Sequence, residues 1–306
     1  MKEISVLAPA TVSNVVCGFD CLGFALEAPC DEMTVRLIDE KTIRIINHDG
    51  HNLPTVAEKN VAGVALLALL DEIEERIGFE VEITKRIKPG SGIGSSAASA
   101  VGAVAAANRL LENRFSQTEL AEFAMSGEFI ASQSRHADNV APCLLGGFVL
   151  VRSTHPLDIV PLEFPPLFAT VIHPQIEIKT SDARAILPQN VALKDAIRQW
   201  SNLGALVAAL SKGDYALVSR SLEDFLVEPV RKILIPRFDD LKSASLKAGA
   251  LGGGISGSGP SVFMLSETAA AARQVETAMR GIYEQTTIDF YIYTAKINDN
   301  GVKFVN

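Results

Sequence analysis

The sequence predicts an α+β protein of two lobes, and three observations carry that prediction. Strand-like alternation and helix-like periodicity are mixed along all 306 residues, without the regular β-α-β order that a doubly wound sheet needs. The length fits one large domain or, as read here, two that share an interface. A proline-rich stretch, 156–166, separates two halves of different rhythm and sets the lobes at residues 1–160 and 161–306.

The elements follow in order. Met1 to Ala10 alternates as a strand that Pro9 ends, and Met33 to Ile46 alternates again. Val61 to Ile77 is apolar at helical spacing, and Phe79 to Ile87 is a strand running into Lys88-Pro89-Gly90. Ser95 to Leu111 is a helix of small residues that lets other backbones come close. Ser116 and Glu119 form a capping box that opens the next helix, and Gly147 to Arg152 is a strand. In the second half Phe168 to His173 and Ile176 to Ile178 are strand-like, and a helix opens at Ser181 and is broken by Pro188. Helices follow at 191–210, 215–225 and 237–247; then come a glycine-rich run, 252–259, a strand at 261–265, a helix at 267–283 and a closing strand at 287–297.

Composition narrows the function. Hydrophobic residues make up 48% and charged residues 21%, an ordinary balance for a protein with a generous core. The net charge of -8 argues against a partner recognised by its phosphate backbone, so no nucleic acid is expected; a metabolite or a metal–nucleotide complex fits better. The N-terminus does not read as a signal peptide, and the apolar stretch 61–70 is about half the length that spans a bilayer, so no membrane partner is expected. Four cysteines are too few for a disulfide scaffold, which points to the cytoplasm. Cys17, Cys21 and His136 lack an evident fourth ligand for zinc, and buried thiols are the reading taken.

The turn Pro89-Gly90-Ser91-Gly92-Ile93-Gly94-Ser95-Ser96 carries the chemistry. Its glycines can aim consecutive N–H groups at one point, the helix that follows adds its positive end, and two hydroxyls can reach a phosphate oxygen or magnesium. It is not a Walker A loop, because no Gly-Lys-Ser/Thr closes it. Gly92, Gly94 and Ala97 match a loosened dinucleotide fingerprint, but Glu112 has no strand before it to place an acid on a ribose. By itself the turn is equally a packing device. The second glycine run, ending Ser256-Gly257-Ser258-Gly259-Pro260, tips the reading towards two backbone walls around a charged ligand.

Three segments together resemble the GHMP kinase superfamily over essentially the whole chain: Ala8 to Thr11 with Asn14, Gly18-Phe19-Asp20 and Gly23; Pro89 to Ser99; and Gly253 to Pro260. Pro9-Ala10-Thr11, Asn14, Gly18-Phe19-Asp20 and His136-Ala137-Asp138-Asn139-Val140-Ala141-Pro142, after Glu128, resemble its homoserine kinase branch. The chain departs from the usual Gly-Pro-Gly-Phe-Asp, reading Val16-Cys17-Gly18-Phe19-Asp20.

The resemblance implies a two-lobed GHMP kinase fold, with a ribosomal protein S5 domain 2-like N-terminal lobe and a ferredoxin-like C-terminal lobe. It implies transfer of phosphoryl from ATP to the side-chain hydroxyl of L-homoserine, in threonine biosynthesis, by a cytoplasmic homodimer. ATP would lie along Pro89, Gly90, Ser91, Gly92, Ile93, Gly94, Ser95, Ser96, Ala97, Ala98 and Ser99, with Mg2+ on Ser96 and Glu128. The implied substrate residues are Asn14, Asp20, His136, Asn139, Thr180, Arg184, Arg231 and Gly257, and the implied catalytic ones are Asn139, Arg184 and Glu128. Asn139 is expected to orient the hydroxyl while Asp138 supports it. A sister kinase for another small alcohol, and a catalytically silent protein of the same fold, are the alternatives.

Overall fold

The structure, a computed structural model, describes the backbone of residues 2–48, 50–132 and 136–305 and, except at 131 and 132, their side chains. Met1 and Asn306, the outer ends of the two expected lobes, lie outside the described residues.

Two long strands frame the first sheet. β1 (Glu3–Val15) and β2 (Gly18–Ile38) pair antiparallel over most of their length. β1 does not stop at Pro9. The register shifts between Pro9 and Thr11, at a residue with no N–H to give the ladder, and the strand continues beyond the bulge. The first part of β2 escapes a period-two search because Leu22 to Leu26 is buried on both faces, while its end and β3 (Ile43–Asn47) share the alternation read at 33–46, with a turn between them. The sheet order is β11-β1-β2-β4-β3, with β5 paired to β2 and β6 to β5; the further strands are β3 (Ile43–Asn47), β4 (Gly78–Thr84), β5 (Phe148–Thr154), β6 (Leu157–Leu162) and β11 (Lys303–Val305). β3 and β4 run parallel, and α1 (Val61–Asp71) connects them.

α2 (Ser95–Leu110) packs on β1 and β2, with α1 and α3 (Gln117–Ser132) against its sides. Serines and alanines suit it, because nearly every α2 side chain is buried and backbones approach on all sides. The capping box at the start of α3 is formed in both directions: Ser116 N–H donates to Glu119 Oε2 at 2.8 Å, and Glu119 N–H donates to Ser116 Oγ at 3.3 Å.

The second sheet has the order β10-β7-β9-β8, all antiparallel: β7 (Phe168–Pro174), β8 (Gly252–Ile255), β9 (Val262–Ser266) and β10 (Phe290–Lys296). α9 (Phe238–Lys247) and α10 (Ala269–Tyr283) cover one face. The other α-helices among the described residues are α4 (Val140–Leu145), α5 (Thr180–Ala185), α6 (Leu193–Lys212), α7 (Tyr215–Ser221) and the short α8 (Glu228–Arg231). Ile176 to Ile178, read as strand-like, has no regular structure; it follows Pro174 and leaves the sheet to reach α5.

One core joins the two sheets. The ring of Phe24 on β2 lies 4.9 Å from that of Phe148 on β5 and 5.5 Å from that of Phe263 on β9. All three are fully buried, each stabilising by about 2 kcal/mol. We propose a boundary between folding units near residue 160, with β6 running through it and β11 returning to the first sheet.

Candidate active site

The tip of the β1–β2 hairpin builds one end of a cavity of about 350 Å³. Asn14, Val16 and Asp20 take φ values of 56°, 58° and 49° in the order Asn14, Asp20, Val16, a left-handed geometry that a β-branched residue rarely adopts. Val16 stands where the usual motif has glycine. Its side chain is buried in the core, which holds a conformation costing about 1–3 kcal/mol. Asn14 closes the hairpin tip: Oδ1 accepts the Asp20 N–H at 2.7 Å, and Nδ2 donates to the Gly257 carbonyl at 2.8 Å.

Asp20 then meets residues from distant elements. Arg184 Nη2, from α5, donates to both Asp20 oxygens at 2.8 and 2.9 Å and to His136 Nε2 at 3.1 Å. A guanidinium only donates, so Nε2 is the bare nitrogen and the proton sits on Nδ1, 3.8 Å from Asp20. Burial, and the two arginines against the pull of Asp20, hold the His136 pKa below its ordinary value. Arg231 donates to the Ala183 and Gly257 carbonyls at 2.9 and 3.3 Å. Both guanidiniums lie within cation–π distance of the Phe19 ring, Arg184 at 5.6 Å and Arg231 at 5.0 Å from its centroid. Thr180 reaches Ser258 at 3.4 Å.

The glycine turn builds the other end. Gly90, Gly92 and Gly94 all have φ between 70° and 78°. A Cβ at Gly92 would stand 2.5 Å from the Gly259 carbonyl oxygen, and one at Gly94 2.0 Å from Thr11 Oγ1, so only glycine fits there. The carbonyls of the turn face backwards. Ser261 Oγ donates to Ser91 O at 2.6 Å, Ser256 Oγ to Gly92 O at 2.7 Å, and Thr11 N–H to Ile93 O at 3.1 Å. Each planar trans peptide then turns its N–H, on Gly92, Ile93 and Gly94, to the opposite side. The first N–H groups of α2 continue that row.

Here the structure corrects one expectation. The second glycine run is not a second wall. Gly252 to Ile255 is strand β8, where a Cβ at Gly253 would stand 2.0 Å from Phe263 O, and Ser256 and Ser261 brace the turn from behind. Only Gly257 and Ser258 of that run reach the cavity.

The cavity floor holds the charged groups. Ser96 hydrogen-bonds to Glu128 of α3, whose burial pushes its carboxyl up to about 7 despite that bond and the nearby Lys85. Asp138 is pushed up to about 7 by burial and by Asp20. Lys85 Nζ pairs with Asp31 and donates to Ser95 O at 2.6 Å and Ser99 Oγ at 2.9 Å. Asn139 is gripped at both ends: Thr11 Oγ1 donates to its Oδ1 at 2.7 Å, and its Nδ2 donates to Ser13 Oγ at 2.9 Å.

This arrangement matches known proteins. Residues 60–147 match the N-terminal domain of GHMP kinases, and residues 206–285 match the GHMP kinases C-terminal domain. The homoserine kinase of Chloroherpeton thalassium is 47% identical over 300 residues, covering 94% of each chain. That of Chlorobium phaeobacteroides is 44% identical over 318 residues, covering 99% of each. The crystal structure of homoserine kinase from Cytophaga hutchinsonii superposes with a TM-score of 0.95 at 51% identity, covering 100% of this chain and 98% of that one. The chain belongs to the homoserine kinases of the GHMP kinase family.

Against the residues expected of such a kinase, the cavity brings together Asn14, Asp20, His136, Asn139, Thr180, Arg184, Arg231 and Gly257 at one end, and Pro89, Gly90, Ser91, Gly92, Gly94, Ser95, Ser96, Ser99 and Glu128 at the other. It does not include the side chains of Ile93, Ala97 and Ala98, which are buried in the core. Those three serve the turn through its backbone and its packing. Among the described residues no group of three or more His, Cys, Asp or Glu that could hold a metal ion gathers at one point. Burial pushes the Cys17 thiol up to about 12, and its Sγ lies 3.4 Å from the Ser221 carbonyl.

Sequence reasoning assigned no role to Lys59, Asn60, Lys85 or Ser13, which line this kinase's cavity. Ser13 carried a signal, since it shares a strand face with Thr11 two residues earlier. Lys85 carried none, because its partner Asp31 is 54 positions away.

Proposed function

We propose that this chain transfers the terminal phosphoryl group of ATP to the side-chain hydroxyl of L-homoserine, giving O-phospho-L-homoserine and ADP. One observation carries the reading: a row of backbone N–H groups suited to phosphates and an acid–arginine cluster suited to an amino acid open into the same cavity.

Asp20 takes the substrate ammonium, and Arg184 and Arg231 take its carboxylate. The hydroxyl oxygen forms the new P–O bond, ADP leaves with the electrons of the old one, and the hydroxyl proton passes to a phosphoryl oxygen. Such transfer needs alignment and charge stabilisation more than a base. Asn139 supplies the alignment. Thr11 uses one lone pair of its Oδ1, and the second accepts a hydrogen bond from the substrate hydroxyl. Asp138 supports Ser13 behind it. Accordingly Asp138→Asn keeps most turnover while Asn139→Leu loses most of it, about 10²-fold in kcat; steady-state kinetics giving the reverse order would sink this assignment.

Magnesium fits the cavity floor. Ser96 Oγ and the Glu128 carboxylate are adjacent hard oxygen donors, and magnesium needs only one or two from protein when phosphates complete its shell. There it would neutralise phosphate charge during transfer.

The deciding assay is ADP release from Mg-ATP with L-homoserine, mevalonate, galactose or L-threonine as acceptor. Homoserine is expected to give the highest kcat/KM; release with another alcohol only would favour a sister kinase, and none at all a silent protein.

We also propose a cytoplasmic homodimer. No described helix is long and apolar enough to cross a membrane. α6 carries an outward apolar ridge, with Leu193, Ile197 and Trp200 at 69%, 45% and 56% exposure, which a second copy would cover in the proposed dimer. Sedimentation is expected to show a dimer that Trp200→Glu dissociates; a parent monomer contradicts it.

A further inference from the structure

We infer that Thr11 is a positioning residue that locks the acceptor-side amide of Asn139 to the phosphate turn, an inference that rests on the kinase reading above. Thr11 is fully buried and does not line the cavity, so it acts only through what it holds. Its two polar groups hold two different parts of the site. The hydroxyl donates to Asn139 Oδ1 at 2.7 Å, and the backbone N–H donates to Ile93 O, inside the turn, at 3.1 Å.

The bonds at the two ends of Asn139 together set polarity as well as place. Ser13 spends its O–H on the Asp138 carboxylate, so its Oγ accepts from Asn139 Nδ2 at 2.9 Å and the amide oxygen is left facing the Thr11 hydroxyl. With Thr11 donating at one end and Ser13 accepting at the other, the amide is held in one orientation and its free lone pair has one direction.

The local backbone is shaped for this task. Register shifts fall between Pro9 and Thr11 and between Ser13 and Val15, so Thr11–Ser13 is a short, regularly paired stretch whose register differs from that of the strand on either side. Gly94 is fitted to the same residue, since a Cβ there would stand 2.0 Å from Thr11 Oγ1 and 3.1 Å from Asn139 Oδ1. The third glycine of the turn is thus required by Thr11 and Asn139 as well as by its own φ.

Thr11→Val preserves shape and removes the donor; Thr11→Ser preserves the donor. With Mg-ATP and L-homoserine, Thr11→Val is expected to lower kcat about 10- to 100-fold, while Thr11→Ser recovers most of it. The KM for ATP should move by less than roughly threefold in both. The distinguishing readout is the Asn139→Ala background, where Thr11→Val should cost less than about twofold because the group it positions is gone. Ser13→Ala, which cuts the other end of the amide, should show the same dependence on background and serves if Thr11→Val does not fold. Equal losses in both backgrounds, or a serine variant no better than the valine one, would overturn the inference while leaving the kinase reading intact. A parent protein that phosphorylates no acceptor would remove both.

Discussion

Glu128→Gln is expected to lower kcat by about 10²- to 10³-fold while making the ligand-free protein harder to unfold above pH 7. Both effects have one origin. Burial pushes the Glu128 carboxyl from its ordinary 4.5 up to about 7, so the fold favours the protonated form. A raised folded pKa contributes stability that is complete below the unfolded value of 4.5 and is lost as pH rises through 7. At pH 8 the ionised carboxylate costs the empty protein roughly 3 kcal/mol, which a glutamine of the same shape avoids. Asp138, raised from 3.8 to about 7, pushes the same way. Calorimetry of parent and variant at pH 6 and pH 8 is expected to show a gap in Tm that widens with pH in favour of the glutamine. A variant that melts lower at both pH values would contradict a buried, ionisation-resistant carboxyl.

Arg184→Met is expected to lower kcat/KM for L-homoserine by about 10³-fold, chiefly through KM, with the KM for ATP nearly unchanged. The methionine removes the donor that bridges Asp20 and His136 and one of two cations for the substrate carboxylate. It also leaves Asp20 without its ion pair, so the ammonium partner loses its fixed orientation. Arg184→Lys restores charge without the planar fork and recovers only part of the loss. Stability should change little, because the Arg184 side chain is 40% exposed and such pairs contribute about 0–1 kcal/mol. Steady-state titrations that placed the loss in the KM for ATP would move Arg184 to the phosphate end of the cavity.

The phosphate turn was legible because its cause is local. Gly90, Gly92 and Gly94 each need a left-handed φ, and Ser95 opens a helix of small residues, so spacing and residue type already describe the shape. The capping box at Ser116 was legible for the same reason. What stayed hidden depends on residues far apart in the chain. Ser256 and Ser261 hold the turn's carbonyls from 164 and 170 positions away, and from the sequence their glycine run looks like a second ligand wall. β2 was missed where both its faces are covered, which erases the alternation that marks a strand. Asp20, Arg184 and Arg231 were placed in the site by resemblance, and the structure adds what resemblance lacks: which atom of which residue holds the next. The two-lobed reading itself rested on mixed periodicities, and both sheets are present with the expected change of rhythm between them.

The central claim is that the two substrates meet in one cavity, with phosphates on the turn and the amino acid on the Asp20–Arg184 cluster. A crystal structure with L-homoserine, magnesium and a non-hydrolysable ATP analogue tests it directly. Phosphate oxygens are expected about 3 Å from the N–H groups of residues 92–96, and the homoserine ammonium about 3 Å from Asp20, with its hydroxyl on Asn139. Phosphates resting on residues 252–259 instead, or an amino acid bound away from Asp20 and Arg184, would contradict the account.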